Sequence, residues 1–519
     1  MLNILVCLFQ NEIIFYRHNE LQGGKFMDYS VLITIVIYMF GMLWIGYYAY
    51  KRTSDLTDYM LGGRTLGPAV TALSAGASDM SGWLLLGLPG AIYATGLSGS
   101  WIAIGLTLGA WANWIYVAPR LRIFTEKANN SITIPAFLEN RFDDRSKILR
   151  IISGLVILIF FTFYVSSGMV SGGVLFQSMF GLNYTTGLWI VAAVVVAYTL
   201  FGGFLAVSLT DFVQGLIMLI ALILVPLVTW IHVSGDGPIE TVRTINPAFL
   251  DIFQGTSFLG IVSLFAWGLG YFGQPHIIVR FMAIKAVKEI KKARRIGMGW
   301  MIFSMLGAIT TGFLGITYFT TKGEALKDAE TVFIVLGDVL FHPIITGFLI
   351  AAILAAIMST ISSQLLVSSS SLTEDIYKTF LKRSATDKEL VLIGRFSVLI
   401  VSLVAFAISW EKNSTILELV GYAWAGFGAA FGPLILFSLY WRRMTKWGAL
   451  AGMIVGAATV ITWANLGLSE VLYEMIPGFA FSSLAIFVVS LFTKPHNSVV
   501  EKFNEFEIEM KNNASSIQS

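Results

Sequence analysis

Residues 74–83 read SAGASDMSGW, inside an otherwise apolar run. The charged loop 51–66 precedes them and WLLLGLPGAIYA (83–94) follows. One carboxylate, Asp79, stands among glycines, serines and alanines. The stretch makes a poor helix. Gly76, Gly82 and three serines have low propensity, and aspartate competes for backbone hydrogen bonds. If the run crosses a membrane, a break here frees carbonyls and amides within hydrocarbon. That is tolerated only where the backbone lines a cavity or holds something.

The composition supplies the membrane. Of 519 residues, 56% are hydrophobic and 13% charged, against about 25% charged in soluble domains. So few charges do not cover the surface of a soluble protein this long. The apolar residues fall into blocks at 29–50, 67–93, 101–118, 149–180, 186–205, 212–234, 257–283, 298–320, 344–372, 391–410, 416–441, 447–466 and 473–493. Most reach the roughly 18 residues expected of a spanning helix. We number them spans 1 to 13. The chain reads as an all-α polytopic membrane protein, without the alternation of barrel strands. Cys7 is the single cysteine, so no disulfide framework or cysteine metal cluster is expected.

The first residues, MLNILVCLF, lack a basic lead, and polar NEIIFYRHNE follows without a small-residue cleavage site. This is not a secretory signal pattern. Residues 1–26 read as an N-terminal extension, or as residues upstream of a true start at Met27. Residues 27–495 form the membrane domain, and 496–519 a polar tail.

Loops after spans 1, 3, 7, 9 and 11 carry 23 lysines and arginines; loops on the other side carry four. Cationic loops stay cytoplasmic. The N-terminus is therefore expected outside and the C-terminus inside, in a bacterial cytoplasmic membrane. KAVKEIKKARR (285–295) reads as an ordinary cytoplasmic loop, not a nucleic-acid patch.

A second span is interrupted. FAWGLGYFGQPH (265–276) packs Gly268, Gly270, Gly273 and Pro275 into span 7, and proline both removes a donor and clashes with the preceding turn. Spans 2 and 7 are five apart, so they head two five-helix halves, at about 67–234 and 257–441. Broken segments at matching positions of two halves point to the binding site of a secondary transporter. GAAFG (428–432), lacking a polar partner, reads instead as helix packing.

Within span 2, Asp79 is a functional candidate, because an intramembrane acid is costly to insert. Asp211 reads as an interfacial helix-end charge near the start of span 6. In span 9, AAILAAIMSTISSQLL (351–366) sets Ser359 and Thr360 side by side. Adjacent hydroxyls can edge one site, and released carbonyls with hydroxyls suit a hard cation such as sodium. The same serines can equally bond back to their own helix.

LGGRTLGP (61–68), TALSAGASDMSGWLLLGLPGA (71–91), WGLGYFGQPHIIVRFM (267–282) and LAAIMSTISSQLLVSSS (354–370) resemble, in order, the motifs of the sodium/solute symporter family. The resemblance covers roughly residues 27–495. It implies the inverted-repeat fold typified by the bacterial leucine transporter, with extra spans flanking a ten-helix core. It further implies a sodium site made by the carbonyls of Ala77, Met80 and Ala356 and the hydroxyls of Ser359 and Thr360. Asp79 and Ser81 match sodium-linked positions. Tyr164, Trp267, Tyr271 and Pro275 match positions implicated in recognising proline, whose ring aromatic faces can enclose. Arg64 matches an arginine important for coupling, and Gly87 a point of flexing.

The resemblance thus implies sodium-coupled uptake of L-proline by alternating access, with sodium as coupling ion and neither organic cofactor nor covalent chemistry. No phosphate-binding glycine loop with its lysine is present, which argues against direct ATP driving. The rivals are a symporter of betaine, another amino acid or a carboxylate, and, in a different class, a channel or a solute sensor.

Overall fold

The computed structural model describes residues 29–51, 56–201, 203–233, 237–382, 384–412 and 414–513. The extension 1–26, Met27, Arg52, Arg383 and the tail residues 514–519 lie outside the described residues. Among the described residues the fold is helical, with no β-strand and one isolated bridge, Leu66 to Ile284.

Each of the thirteen expected spans falls on helix. Among the described residues ten helices are long and apolar enough to cross a membrane; the one from Trp83 to Lys127 holds both the second half of span 2 and all of span 3. Shorter apolar helices at Tyr184–Ala197 and Phe258–Gly273 supply spans 5 and 7. Span 9 runs beyond its expected end at 372, continuing as a π-helix to Leu381.

The five cationic loops share one end of the molecule. Arg64 Nη1 donates to Met282 O at 2.6 Å and Nη2 to Ser131 O at 2.9 Å. Arg150 meets Asp375 at 2.8 Å, and Lys446 meets Asp144 at 3.4 Å. Those contacts join the loops after spans 1, 3, 7, 9 and 11. At the same end Lys285 N donates to Leu66 O at 3.0 Å, tying the entry of span 2 to the exit of span 7. Burial lowers Arg64 to about 10, with the nearby Arg122 charge acting in the same direction. The guanidinium still keeps its proton at neutral pH. It is a bolt across three segments.

The polar tail is partly built. Asn497–Asn512 is an amphipathic helix. Its Phe506 stacks on Phe124 at 4.2 Å and 6°, and Arg120 pairs with its Glu507.

Spans 3 and 7 cross with no side chain between them. A Cβ on Gly109 would lie 2.1 Å from Gly268 O, and one on Gly105 would lie 2.2 Å from Phe265 O. Only glycine permits this approach. GAAFG packs as expected, with Gly428 against Met475 and Gly270.

Asp144 lies just ahead of the helix of span 4, which begins at Ile148. Its carboxylate accepts from Leu149 N at 2.9 Å and Ser146 N at 3.2 Å. Burial alone would raise this group. The hydrogen bonds from Ser146 and Leu149 N and the Lys446 ammonium outweigh it and hold the carboxyl below its usual range. A depressed folded value means its stabilisation is complete above the ordinary carboxylate pKa of about 3.9 and is lost as pH falls through the folded value. Asp144→Ala is therefore expected to cost about 1.5–3 kcal/mol at pH 7, the usual loss of a hydrogen bond to a charged group. Thermal unfolding in detergent checks this; the gap from wild type closes only below about pH 4.

Candidate functional site at two helix breaks

Span 2 stops where its sequence predicts. Pro68–Asp79 is α-helical, Met80 leaves the helix at φ −79° and ψ 74°, and Trp83–Gly87 resumes as a π-helix before Leu88–Thr95. Ser81 secures the restart, its hydroxyl accepting from Trp83 N at 3.4 Å and its carbonyl from Leu84 N at 3.1 Å. Gly87 closes the π-turn.

Across the break lies span 9. Ser359 Oγ donates to Ala77 O at 2.8 Å and lies 3.2 Å from Ala356 O; Thr360 Oγ1 reaches Ala77 O at 3.4 Å. All are buried. Four of the five expected sodium donors thus converge. Met80, the fifth, sits at the turn itself. An all-oxygen set of carbonyls and hydroxyls fits a hard monovalent cation and carries no full charge of its own.

The Asp79 carboxylate points elsewhere. Its Oδ2 accepts from Tyr271 OH, while Oδ1 has no partner among the described residues. The backbone carbonyl of Asp79 accepts from Tyr164 OH at 3.3 Å and Trp83 Nε1 at 3.2 Å. Asp79 therefore joins spans 2, 4 and 7, two residues along the chain from the Ala77 carbonyl that the hydroxyls reach.

Span 7 unwinds more gradually. Phe258–Phe265 is α-helical, Ala266–Gly273 is a tighter 3-10 helix, Gln274 is extended, and Pro275–Ala283 restarts. Trp424 of span 11 laces the tight segment. Its ring N–H donates to Trp267 O at 2.7 Å, its carbonyl accepts from Gln274 Nε2 at 3.1 Å, and its ring meets Tyr271 edge-on at 5.1 Å. Trp267 stacks on Tyr473 at 5.5 Å and 17°.

The structure brings Asp79, Tyr164 and Tyr271 into direct contact and attaches Trp267 through Trp424. Pro275 stands apart. Asp79 and Tyr271 line a small pocket with Met80, Trp114 and Phe281. Pro275 lines a different one, with Phe204, Val279 and Ser370, toward the cationic end.

One expectation is corrected. Asp211 is not an interfacial charge. The helix of span 6 begins at Phe204, which puts Asp211 about two turns inside it, fully buried. It pairs with Arg280 at 3.1 Å, and Ser74 Oγ donates to it at 2.7 Å. Arg280 also donates to Ser74 at 3.1 Å and Ser363 at 2.6 Å. The pair fastens spans 2, 6, 7 and 9 just beyond the breaks. Sequence reasoning missed Arg280, although a lone arginine inside IIVRFM is the signal that marks a paired intramembrane charge. Trp424, Tyr473 and Gln274 were missed too.

Comparison with known proteins gives the family and the fold. The profile described as "Sodium:solute symporter family" matches residues 59–456. A high-affinity proline transporter of Bacillus subtilis is 72% identical over 468 residues, 90% of this chain and 99% of that one. A sodium/proline symporter of Staphylococcus saprophyticus is 56% identical over 484 residues, 91% of this chain and 95% of that one. Among solved structures, a sodium-coupled sialic acid symporter superposes with a TM-score of 0.76 at 19% identity, over 90% of this chain and 98% of that one. That likeness shows the fold, the inverted-repeat architecture of the leucine-transporter type.

Proposed function

The chain belongs to the sodium:solute symporter family, and from that premise we propose sodium-coupled uptake of L-proline by alternating access. The observation that carries the reading is the convergence of the Ser359 and Thr360 hydroxyls on the carbonyl of Ala77 at the break of span 2.

The carbonyls of Ala77, Met80 and Ala356 and the hydroxyls of Ser359 and Thr360 hold the ion. Asp79 and Ser81 fix the break around it. Tyr164, Trp267 and Tyr271 surround the substrate's ring, Pro275 shapes their segment by restarting the helix of span 7, and Arg64 and Gly87 serve coupling and flexing. Sodium enters from outside and settles span 2 against span 9. Proline then binds along span 7, the core rocks inward, and departure of the ion weakens the hold on proline. Coupling requires each ligand to favour the other, and linkage makes that reciprocal. The two halves, 67–234 and 257–441, form the working core of a domain at 27–495. The chain lies in a bacterial cytoplasmic membrane with its N-terminus outside; the uneven distribution of lysine and arginine supports that orientation.

Proline is a neutral zwitterion, so one sodium carries one net charge. About 100 mV supplies about 2.3 kcal/mol, and a tenfold sodium gradient about 1.4 kcal/mol. Together they sustain accumulation of roughly several hundredfold.

Proteoliposomes containing the protein should concentrate radiolabelled proline only under an inward sodium gradient, with excess betaine competing poorly. Ser359→Ala and Thr360→Ala should each raise the sodium concentration for half-maximal uptake about tenfold, the loss of one oxygen contact. Uptake driven equally by protons alone overturns the ion; current without substrate or saturable accumulation means a channel.

A further inference from the structure

Two polar side chains flank Pro275 at the break of span 7, and the sodium and aromatic assignments use neither. Gln274 and His276 are both fully buried. Gln274 spends its amide on Trp424 O, which leaves Oε1 without a partner among the described residues. Both ring nitrogens of His276 are likewise without partners. The imidazole stands edge-on to Tyr164 at 5.8 Å and 90° and to Phe161 at 5.4 Å and 68°. Tyr164 is the side chain that reaches the backbone of Asp79. The imidazole therefore packs on the tyrosine that reaches the break of span 2.

A buried donor or acceptor with nothing to bond costs its full desolvation, so native proteins rarely leave one, let alone three on neighbouring side chains. Here the arrangement has complementary chemistry. An imidazole in either protonation state has at least one N–H donor, and the Gln274 oxygen is an acceptor. His276 also stands in the first turn of Pro275–Ala283, where the helix end favours negative charge. An amino-acid zwitterion presents the matching pair, a carboxylate that only accepts and an ammonium that only donates.

We propose that Gln274 and His276 form a two-point clamp that determines specificity. A ring N–H of His276 donates to the carboxylate of the transported amino acid, and Gln274 Oε1 accepts from its ammonium. The clamp rests on the uptake reading above and extends it to the substrate's charged ends. It makes this a site for zwitterions that keep an N–H on nitrogen. Solutes with a quaternary nitrogen leave Gln274 unpaired. A site built to bond a polar group rejects analogues lacking it far more strongly than an apolar pocket rejects a change in size.

The test uses purified full-length protein in sodium buffer. Binding of radiolabelled proline is measured with L-prolinol and N,N-dimethylproline as competitors. Prolinol lacks the carboxylate and N,N-dimethylproline lacks the N–H. His276→Leu should weaken proline binding on the order of tenfold to a hundredfold, leave prolinol affinity unchanged and so collapse the proline-to-prolinol ratio. His276→Gln retains an N–H and should keep the ratio within about threefold; it is read alone where the leucine variant does not fold. Gln274→Met should erase the discrimination against N,N-dimethylproline. The sodium concentration for half-maximal proline binding, extrapolated to saturating proline, should stay within about twofold of wild type throughout. If His276→Leu weakens both ligands equally or neither, or if His276→Gln loses the ratio, the clamp is wrong. If wild-type protein binds another zwitterionic amino acid and not proline, only the substrate assignment falls. The ratio is then read with that amino acid and its alcohol.

Discussion

Replacing Asp79 with alanine is expected to slow sodium-driven uptake at least about 100-fold, equivalent to about 2.7 kcal/mol. Two effects add. Asp79 is the single acid between Pro68 and Thr95, so the substitution removes the negative field beside the oxygen cluster. It also strands the buried Tyr271 hydroxyl, whose bond to Oδ2 ties span 7 to span 2. The ion and substrate sites thus lose their shared contact at once. Asp79→Asn separates the effects, since it keeps a hydrogen-bond acceptor for Tyr271 and discards the charge. Initial rates in proteoliposomes across a sodium series decide the matter. Unchanged kinetics in the alanine variant would remove Asp79 from the mechanism, and asparagine matching wild type would reduce it to a brace.

The second large effect concerns Arg280 and Asp211. Both are fully buried. Removing one partner leaves an uncompensated charge among apolar side chains, which costs about 3–5 kcal/mol, whereas replacing both with apolar residues is often close to neutral. Arg280→Met and Asp211→Leu should each lower the thermal unfolding midpoint in detergent and the yield of folded protein. The double variant should recover most of that loss. Single variants as stable as wild type would mean that the pair is not formed. Recovered stability without recovered uptake would show that fastening spans 2, 6, 7 and 9 matters to transport beyond its effect on folding.

Both helix breaks were legible because their causes are local. Gly76, Ser78 and Asp79 weaken span 2 by propensity, and Gly270, Gly273 and Pro275 do so in span 7. The pairing of Ser359 with span 2 was legible through the family resemblance, since hydroxyls on an isolated helix usually bond backward, as Ser359 also does to Ala356. What stayed hidden was tertiary. Asp211 was misjudged because a hydropathy block marks where apolar residues begin, and the helix of span 6 starts earlier, at Phe204. Arg280 lies 69 positions further along the chain, and nothing in the spacing announces that pair. Trp424 and Tyr473 come from span 11 and from the approach to span 13, and reach span 7 only through the fold. Pro275 was grouped with the aromatics through the family resemblance; in the structure it opens the helix Pro275–Ala283 and lines a pocket separate from the one at Asp79 and Tyr271.

The bare crossing of spans 3 and 7 limits how transport can proceed. With the carbonyls of Phe265 and Gly268 pressed against Gly105 and Gly109, the two strands of main chain mesh like a key in its slot. The segment bearing Trp267 and Tyr271 has no slack in which to swing alone. Any stroke that carries those rings must drag span 3 along, and even a single methyl at Gly109 would jam the travel.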